Sequence, residues 1–447
     1  MSVRGFSQGK GYSGYHHTRE PAEDAELTHV RPGTPCGEYL RRFWQPILMA
    51  SELGGEPRLV TILGETLVIF RDGKGEVGLL HKHCVHRRAS LEFGRVEESG
   101  LRCCYHGWLF APDGAVLETP GEPPSSRLKE RVFQPAYPVR EYRGLIFAYL
   151  GPPEETPEFP IFDTFELPGS ESVTYCVPYD CNWLQIMDNS MDPVHSSFLH
   201  TSISGPQFSA IFGALPVVDY HERPLGFFYT NARRVGDHVW IRTHDNVAPN
   251  MAQSGAVTSL DGGKERLFGR AGFSRWIVPV DDTHSKVLAL RYFGPRSDPP
   301  RDIDKTPEAF QMLEAGGLRD RPYDERRRQP SDFEALEGQG AIVVHAAEHL
   351  GTSDVGVAMR RQRLRAAIRA TQAGERPVQP MDLAKSGRVP SHAGDTVLRA
   401  PARAGADDRA AILALSRKVA AIYVESEALP DAERQPLVER RLRELSQ

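Results

Sequence analysis

The sequence predicts an α+β protein in two parts: a small all-β domain, then a larger domain in which helices flank an antiparallel sheet. Short β-rich runs punctuated by Asp-Gly turns fill residues 58–150, the first sign of this. A stretch dense in proline and acid follows at 151–170 and reads as a linker. Beyond it, alternating runs such as GFFYTNARRVGDHVWIRTHD and RWIVPVDDTHSKVLALRYF give way from 306 to helical patterns.

Bulk composition agrees with such a fold and narrows the function. A chain of 447 residues is too long for one ordinary core. Its 40% hydrophobic and 25% charged residues suit a soluble globular protein. The net charge of -5 leaves no basic footprint, so nucleic acid is not an expected partner. Apolar runs such as GLIFAYLG fall far short of a bilayer span, so no membrane segment is expected. The first residues lack the apolar core of a signal peptide, and six cysteines are too few for a disulfide scaffold. The expected compartment is therefore the cytoplasm, where clustered thiols are free to bind metal.

In chain order, residues 1–25 are rich in Gly and Ser and read as a flexible N-terminus. Residues 26–45 carry a short helix expected to pack on the second domain. Tyr39, Leu40, Phe43 and Trp44 fall at helical spacing, with Thr34 as cap and Pro46 as stop. The all-β domain spans 46–152, with turns at 72–73 and 113–114, and the second domain spans 153–373. Residues 374–404 read as a Pro/Gly/Ala-rich loop, and 405–447 as amphipathic helices.

Two constellations carry the chemistry. Cys84 and His86 form C-x-H, Cys103 and His106 form C-x2-H, and sixteen residues separate the pairs. Two Cys and two His also suit tetrahedral zinc, so ligand count alone does not decide. The pairs sit, however, on β-rich segments followed by Tyr105, Gly107 and Trp108, with no helix to carry a histidine pair. CVHRRASLEFG with CCYHGWLF resembles the cluster-binding loops of the Rieske family. That resemblance implies a [2Fe–2S] cluster with two cysteines on one iron and two histidines on the other. Neutral imidazoles in place of thiolates lower the cluster's negative charge and raise its potential. The resemblance selects Cys103 over Cys104, which is left to pack as a small apolar residue. His81 and His83 read as strand residues facing solvent or polar neighbours.

In NWLQIMDNSMDPVHSSFLH, Asp192, His195 and His200 form D-x2-H-x4-H. Two histidines and a carboxylate on one face of Fe(II) leave positions open for O2 and substrate. With the first constellation, this order resembles the large (alpha) subunit of Rieske non-haem iron oxygenases. Within that family it is most similar to the phthalate dioxygenase-like branch, which includes aryl O-demethylases. The resemblance runs from LTHVRPGTPCGEYLRRFW to SDFEALEGQGAIVVHAAEHLGTSD. It implies a helix-grip catalytic domain with His195 and His200 on the iron. Asp192 is implied as a bridge, hydrogen-bonded to an iron histidine of its own chain and to the neighbouring chain's His86 or His106. Electrons then cross between subunits, which requires a homotrimer or stacked trimers. The segment SDFEALEGQG resembles the branch's D-x4-E-x2-G and points to Asp332 as third ligand, though Glu334 and Glu337 offer the same chemistry. Two residues depart from the pattern: Asp188 stands in place of a glutamate, and Arg88 where glycine commonly follows HR.

The implied protein is the oxygenase component of a multicomponent system that activates O2 at mononuclear Fe(II). The expected substrate is an aromatic acid, oxidised by ring hydroxylation or O-demethylation. Electrons are expected from NAD(P)H through a flavin-containing reductase, with or without a ferredoxin. No G-x-G-x-x-G opens a βα unit, so nicotinamide and flavin belong on that partner. Ile203, Phe208, Ile211 and Phe212 are candidate cavity walls or core. Arg242, His244 and Asn246 alternate along a strand, either to meet a substrate oxygen or to form a solvated face. The run DERRR at 324–328 is a landing site for an acidic partner or plain surface. The competing reading is a non-catalytic Rieske electron-transfer protein.

Overall fold

The computed structural model describes residues 22–255, 265–297, 304–402 and 407–446. Thr34 caps the helix Pro35–Leu40 by accepting the Gly37 N–H at 3.2 Å. The helix ends before Phe43 and Trp44, and Pro46 lies instead in the strand Gln45–Met49, beside an irregularity in its pairing with Leu145–Ala148. That strand is an edge of its sheet, where a missing N–H costs little.

The all-β region is built from small antiparallel sheets. Arg58–Ile62, Glu65–Arg71, Val77–His81 and Ala136–Tyr137 form one, and Arg95–Glu97, Gly100–Arg102, Leu109–Phe110 and Val116–Glu118 another. Asp72 makes the first Asp-Gly turn: its Oδ1 accepts the N–H groups of Lys74 at 3.0 Å and Glu76 at 2.9 Å. The linker at 151–170 is tied down by Phe159, Phe162 and Phe165, all buried in the main core. Each such burial is worth about 1.5–3 kcal/mol.

The second sheet is antiparallel throughout. Its order runs Glu171–Tyr179, Ser285–Phe293, Arg266–Pro279, a shared position, His238–Val247, Gly226–Val235 and Val217–Arg223. Two short strands in tandem fill the shared position: Met251–Gly255 pairs with residues 244–247 of the neighbouring strand, and Gly394–Arg399 with residues 238–243. The predicted loop at 374–404 therefore contains a strand. Its short run, flanked by Pro, Gly and Ala, gives no periodicity long enough to read.

Alternation along His238–Val247 divides the labour of this sheet. Val239 and Ile241 pack under the C-terminal helices Asp408–Glu425 and Asp431–Arg443, against Ile412, Val419, Tyr423, Val438 and Leu442. Trp240, Arg242 and His244 face the other way. Behind the sheet, buried Arg270 and Arg434 both pair with Asp163 of the linker, joining sheet, linker and C-terminal helix.

Candidate active site

The two cluster loops are built alike. Cys84 and Cys103 each accept a hydrogen bond four residues on, from the N–H of Arg88 at 2.9 Å and of Gly107 at 3.1 Å. Cys84 N–H donates to Ala89 O, and Cys103 N–H to Trp108 O, both at 2.8 Å. The closing residue of each loop is left-handed, Arg88 at φ +66° and Gly107 at φ +72°. This gives the departure at Arg88 a physical meaning, because a side chain occupies a conformation that suits glycine.

Both cysteines are buried, and His86 and His106 lie with ring centroids 4.5 Å apart. Trp108 stacks on His86 at 4.5 Å, and buried Gln134 accepts the Val85 N–H while donating to the carbonyls of His81 and His83. His86 Nδ1 is buried without a protein partner among the described residues, as a metal-ligating nitrogen would be. No three of these four donors gather about one point, among the described residues, as a single zinc ion would need. A two-iron cluster spreads its ligands and fits the set. His81 pairs with Glu65 and His83 with the Arg88 carbonyl, as expected of bystanders. Cys104, predicted to pack, is exposed at the loop tip, because the turn that buries Cys103 points its neighbour outward.

His195 and His200 come together through backbone geometry the sequence does not announce. Asn182 caps the helix Trp183–Asn189, the chain turns through 190–194, and after His195–Ser197 comes a π-helix at Phe198–Ile203. Residues five apart diverge on an α-helix but stack where hydrogen bonds close over five residues. Two hydroxyls reinforce that period, Thr201 Oγ donating to Ser196 O at 2.8 Å and Ser202 Oγ to Ser197 O at 2.7 Å.

The carboxylate arrives on the helix Asp332–Glu337, which opens with a Ser331/Glu334 capping box. Ser204 Oγ and Gln207 Nε2 both donate to Pro330 O, pinning this segment to the histidines. His195, His200 and Asp332 each offer a ligand atom, all within 4.8 Å of one another, the one such group among the described residues. Glu334 is instead held by Arg321 and Arg326, and Glu337 by Arg319, so neither competes.

Each histidine is presented by its far nitrogen. His195 Nδ1 bonds to the Asp192 carbonyl, and His200 Nδ1 to Gln207 Oε1 at 2.5 Å, which leaves both Nε2 atoms for a cation. Burial pushes the Asp332 carboxyl up, but His200, 3.4 Å away, and His195 outweigh it and hold it below the ordinary range. Gly316 closes in from the side: a Cβ there would meet Gln207 Oε1 at 2.3 Å and His200 Nδ1 at 3.0 Å.

Asp192 differs in detail from the expectation. Its backbone carbonyl, not its carboxylate, bonds the His195 ring. Oδ1 caps the Val194 N–H at 2.8 Å, and Oδ2 stands 3.9 Å from His195 Nδ1. The carboxylate is spent partly on closing its own turn and is partly exposed. Asp188 is buried against Arg360 and Arg361 and anchors the helix Val355–Gln372 rather than the site.

Beside the three donors lies a cavity of about 110 Å3. Phe208, Phe212, Phe273 and Leu313 supply apolar wall, while Arg242, His244 and Ser254 lie on the strands that line it. Ile203 is 61% exposed and belongs to the surface, because the π-turn points it outward. Ile211 is half-buried against the Trp240 cluster, and Asn246 is spent on Ser190 and Arg360. The DERRR run is an exposed helix turn whose Arg326 pairs with Glu334.

Residues 43–142 match the family model of the Rieske [2Fe-2S] domain. The chain is 41% identical to the tert-butanol monooxygenase / tert-amyl alcohol desaturase oxygenase subunit of Aquincola tertiaricarbonis, across 98% of this chain and 97% of that protein. The chain is an oxygenase subunit of the Rieske non-haem iron family. This oxygenase falls in the phthalate dioxygenase-like branch that also holds O-demethylases. It is 39% identical to the phenoxybenzoate dioxygenase subunit alpha of Ectopseudomonas oleovorans, over 79% of this chain and 87% of that one. Its fold is similar to that of NdmA from Pseudomonas putida CBB5, solved with caffeine: TM-score 0.58, 21% identity, 76% of this chain and 94% of that chain. The oxygenase works with a Rieske [2Fe–2S] cluster, a mononuclear iron, and NAD(P)H reducing power supplied through a reductase. No helix among the described residues is long and apolar enough to cross a membrane.

Gln207 and Gly316 escape sequence reasoning. Gly316 is legible as a helix C-cap, following Pro307–Ala315 at φ +71°, but nothing in the sequence relates it to His200. Gln207 carries no signal at all.

Proposed function

We propose that Cys84, His86, Cys103 and His106 hold the cluster, that His195, His200 and Asp332 hold the iron, and that the substrate is a small aromatic acid oxidised by hydroxylation or O-demethylation. The observation that carries this reading is the convergence of three ligand atoms within 4.8 Å beside a cavity walled by aromatic side chains. A protein that only carried electrons would have no use for that second site.

When bound, the iron supplies O2 activation and the cluster supplies electrons singly. The chain's own work is positional. Gln207 and the Asp192 carbonyl each take one ring N–H and so fix which nitrogen each histidine offers. Phe208, Phe212 and Phe273 limit water around the reacting carbon. The partly exposed Asp192 carboxylate is the group we assign to meet a neighbouring subunit's cluster histidine, in a homotrimer or stacked trimers, with a flavin reductase, with or without a ferredoxin, as donor. The cytoplasm, where thiols stay reduced, is the assigned compartment.

Size supports a small substrate. An apolar cavity of ~150 Å3 accommodates benzene, and this one is smaller, so an aromatic acid would extend beyond it toward its open side. A small tertiary alcohol is a second reading, favoured by that volume and by the substrate in the Aquincola relative's name. A single turnover separates them: the enzyme is reduced without oxygen, mixed with benzoates, methoxybenzoates or tert-butanol, exposed to O2, and the products are weighed. Gain of oxygen or loss of methyl on an acid supports the first reading. Product from the alcohol alone overturns it, and a cluster that stays reduced overturns the oxygenase assignment of both sites.

A further inference from the structure

The inner wall of the cavity carries charge that the iron site does not use. Arg242, 4% exposed, spends Nη2 on Ser254 Oγ at 2.9 Å and Gly255 O at 2.6 Å. Its Nε is buried without a partner, and Nη1 makes no hydrogen bond or ion pair among the described residues. The guanidinium carbon lies over Phe212 and Trp240, at 5.4 and 5.9 Å from their ring centroids.

Two residues along the strand, His244 stacks face to face on Tyr229 at 4.6 Å. Neither of its ring nitrogens has a hydrogen-bond partner among the described residues, yet the ring reaches the cavity. Burial first, then Arg242 and Arg275, push it well below the ordinary histidine range, so it is a neutral donor and acceptor.

Two of the nearby acids are already spent. Glu314 is taken by Arg275 and by the Tyr175 hydroxyl, both at 2.7 Å. Asp332 faces the histidines. Asp395, across the strand from Arg242, gives Oδ1 to Trp240 Nε1 at 2.9 Å and keeps Oδ2 unpartnered; it faces Arg242 from behind the cavity lining, and burial pushes its carboxyl up, which weakens it as a counter-ion. A buried guanidinium with Nε and Nη1 unpartnered, beside an imidazole with neither nitrogen bonded, is costly unless something anionic completes it.

We propose that Arg242 and His244 form the subsite that takes the substrate's carboxylate, with Arg242 Nη1 and the His244 ring as its donors. A small acid anchored there can reach the three donors only with its far end, so the pair also selects which carbon is oxidised. This rests on the acid-oxidising reading above and adds where the acid head is held.

The test is equilibrium binding to the anaerobic holoenzyme, followed by calorimetry, with benzoate, 2-methylpropanoate, benzamide and tert-butanol as probes. We expect the two carboxylates to bind about tenfold or more tightly than the neutral molecules, since charge-assisted pairs are roughly twice as strong as neutral ones. Arg242→Met and His244→Leu should each remove that preference, and Arg242→Lys should restore part of it. An unchanged cluster absorption and iron content show that each variant is folded and loaded. Carboxylates that bind both variants as tightly as wild type would overturn the subsite and leave the acid reading standing. Wild type that prefers tert-butanol, or binds neither carboxylate, would overturn both.

Discussion

The two proposed metal sites are built on opposite plans. The cluster loops use ligands close in sequence, two turns of matching hydrogen bonds, and a tip where Cys104 and Tyr105 stand exposed. The site proposed for iron draws its donors from segments 132 residues apart, His200 and Asp332, beside a cavity with aromatic walls. A centre that trades electrons with partners profits from exposure. One that handles reactive oxygen profits from burial and from a frame that fixes each donor.

This contrast predicts independence. Replacing Cys103 with serine should bleach the cluster's visible absorption and stop reductase-driven turnover, while one iron per chain remains bound at the triad. Loss of all iron would mean that the sites share a fold dependence and that the contrast is wrong.

The buried site should also be the more sensitive to groups that never touch metal. Gly316→Ala forces a Cβ onto Gln207 Oε1 and should lower iron affinity about 10–100-fold, the usual cost of losing an outer-shell partner. Gln207→Leu should do the same and Gln207→Glu much less, measured by iron retention against a chelator. Equal retention in all three would remove Gln207 from the frame.

A pH effect belongs to the back of the same sheet. His392 is buried between Asp245 and Glu427, which outweigh the cost of burial and raise it, while both carboxylates are held low. A raised histidine stabilises fully below its unfolded pKa and ceases to do so as pH rises through the folded value. The lowered carboxylates lose their contribution only on the acid side. Thermal unfolding should therefore show stability declining from neutral pH upward, and His392→Gln should flatten that slope. An unchanged slope would place the titration elsewhere.

The smallest expected effect is at the cluster. Arg88→Gly relieves a left-handed residue, worth about 1–2 kcal/mol, against roughly 0.5–1 kcal/mol of added chain entropy. The cluster should survive heating slightly longer, read as the half-life of its absorption. A shorter half-life would show that the arginine side chain is needed there.

The same contrast explains what the sequence revealed. C-x-H and C-x2-H are local, so both loops were legible from spacing, but Cys104 also makes C-x-H with His106 and only the resemblance selected Cys103. His195 and His200 were legible as a pair, but the π-turn that aligns them was not, because periodicity reading assumes α or β spacing. Asp332 stood out from Glu334 and Glu337 only through resemblance; packing then separates them, since arginines hold the two glutamates. The strand Gly394–Arg399 was missed because its partners are over a hundred residues away. Arg242 and His244 were candidates from alternation alone, and Asn246 shared their face yet is consumed by Ser190 and Arg360.

The most direct test counts iron in His200→Ala against wild type, with the cluster's absorption as internal reference. The variant should carry one iron fewer per chain, show an unaltered cluster spectrum, and form no product in a single turnover. A variant that keeps its full iron and still oxidises substrate would contradict the iron assignment.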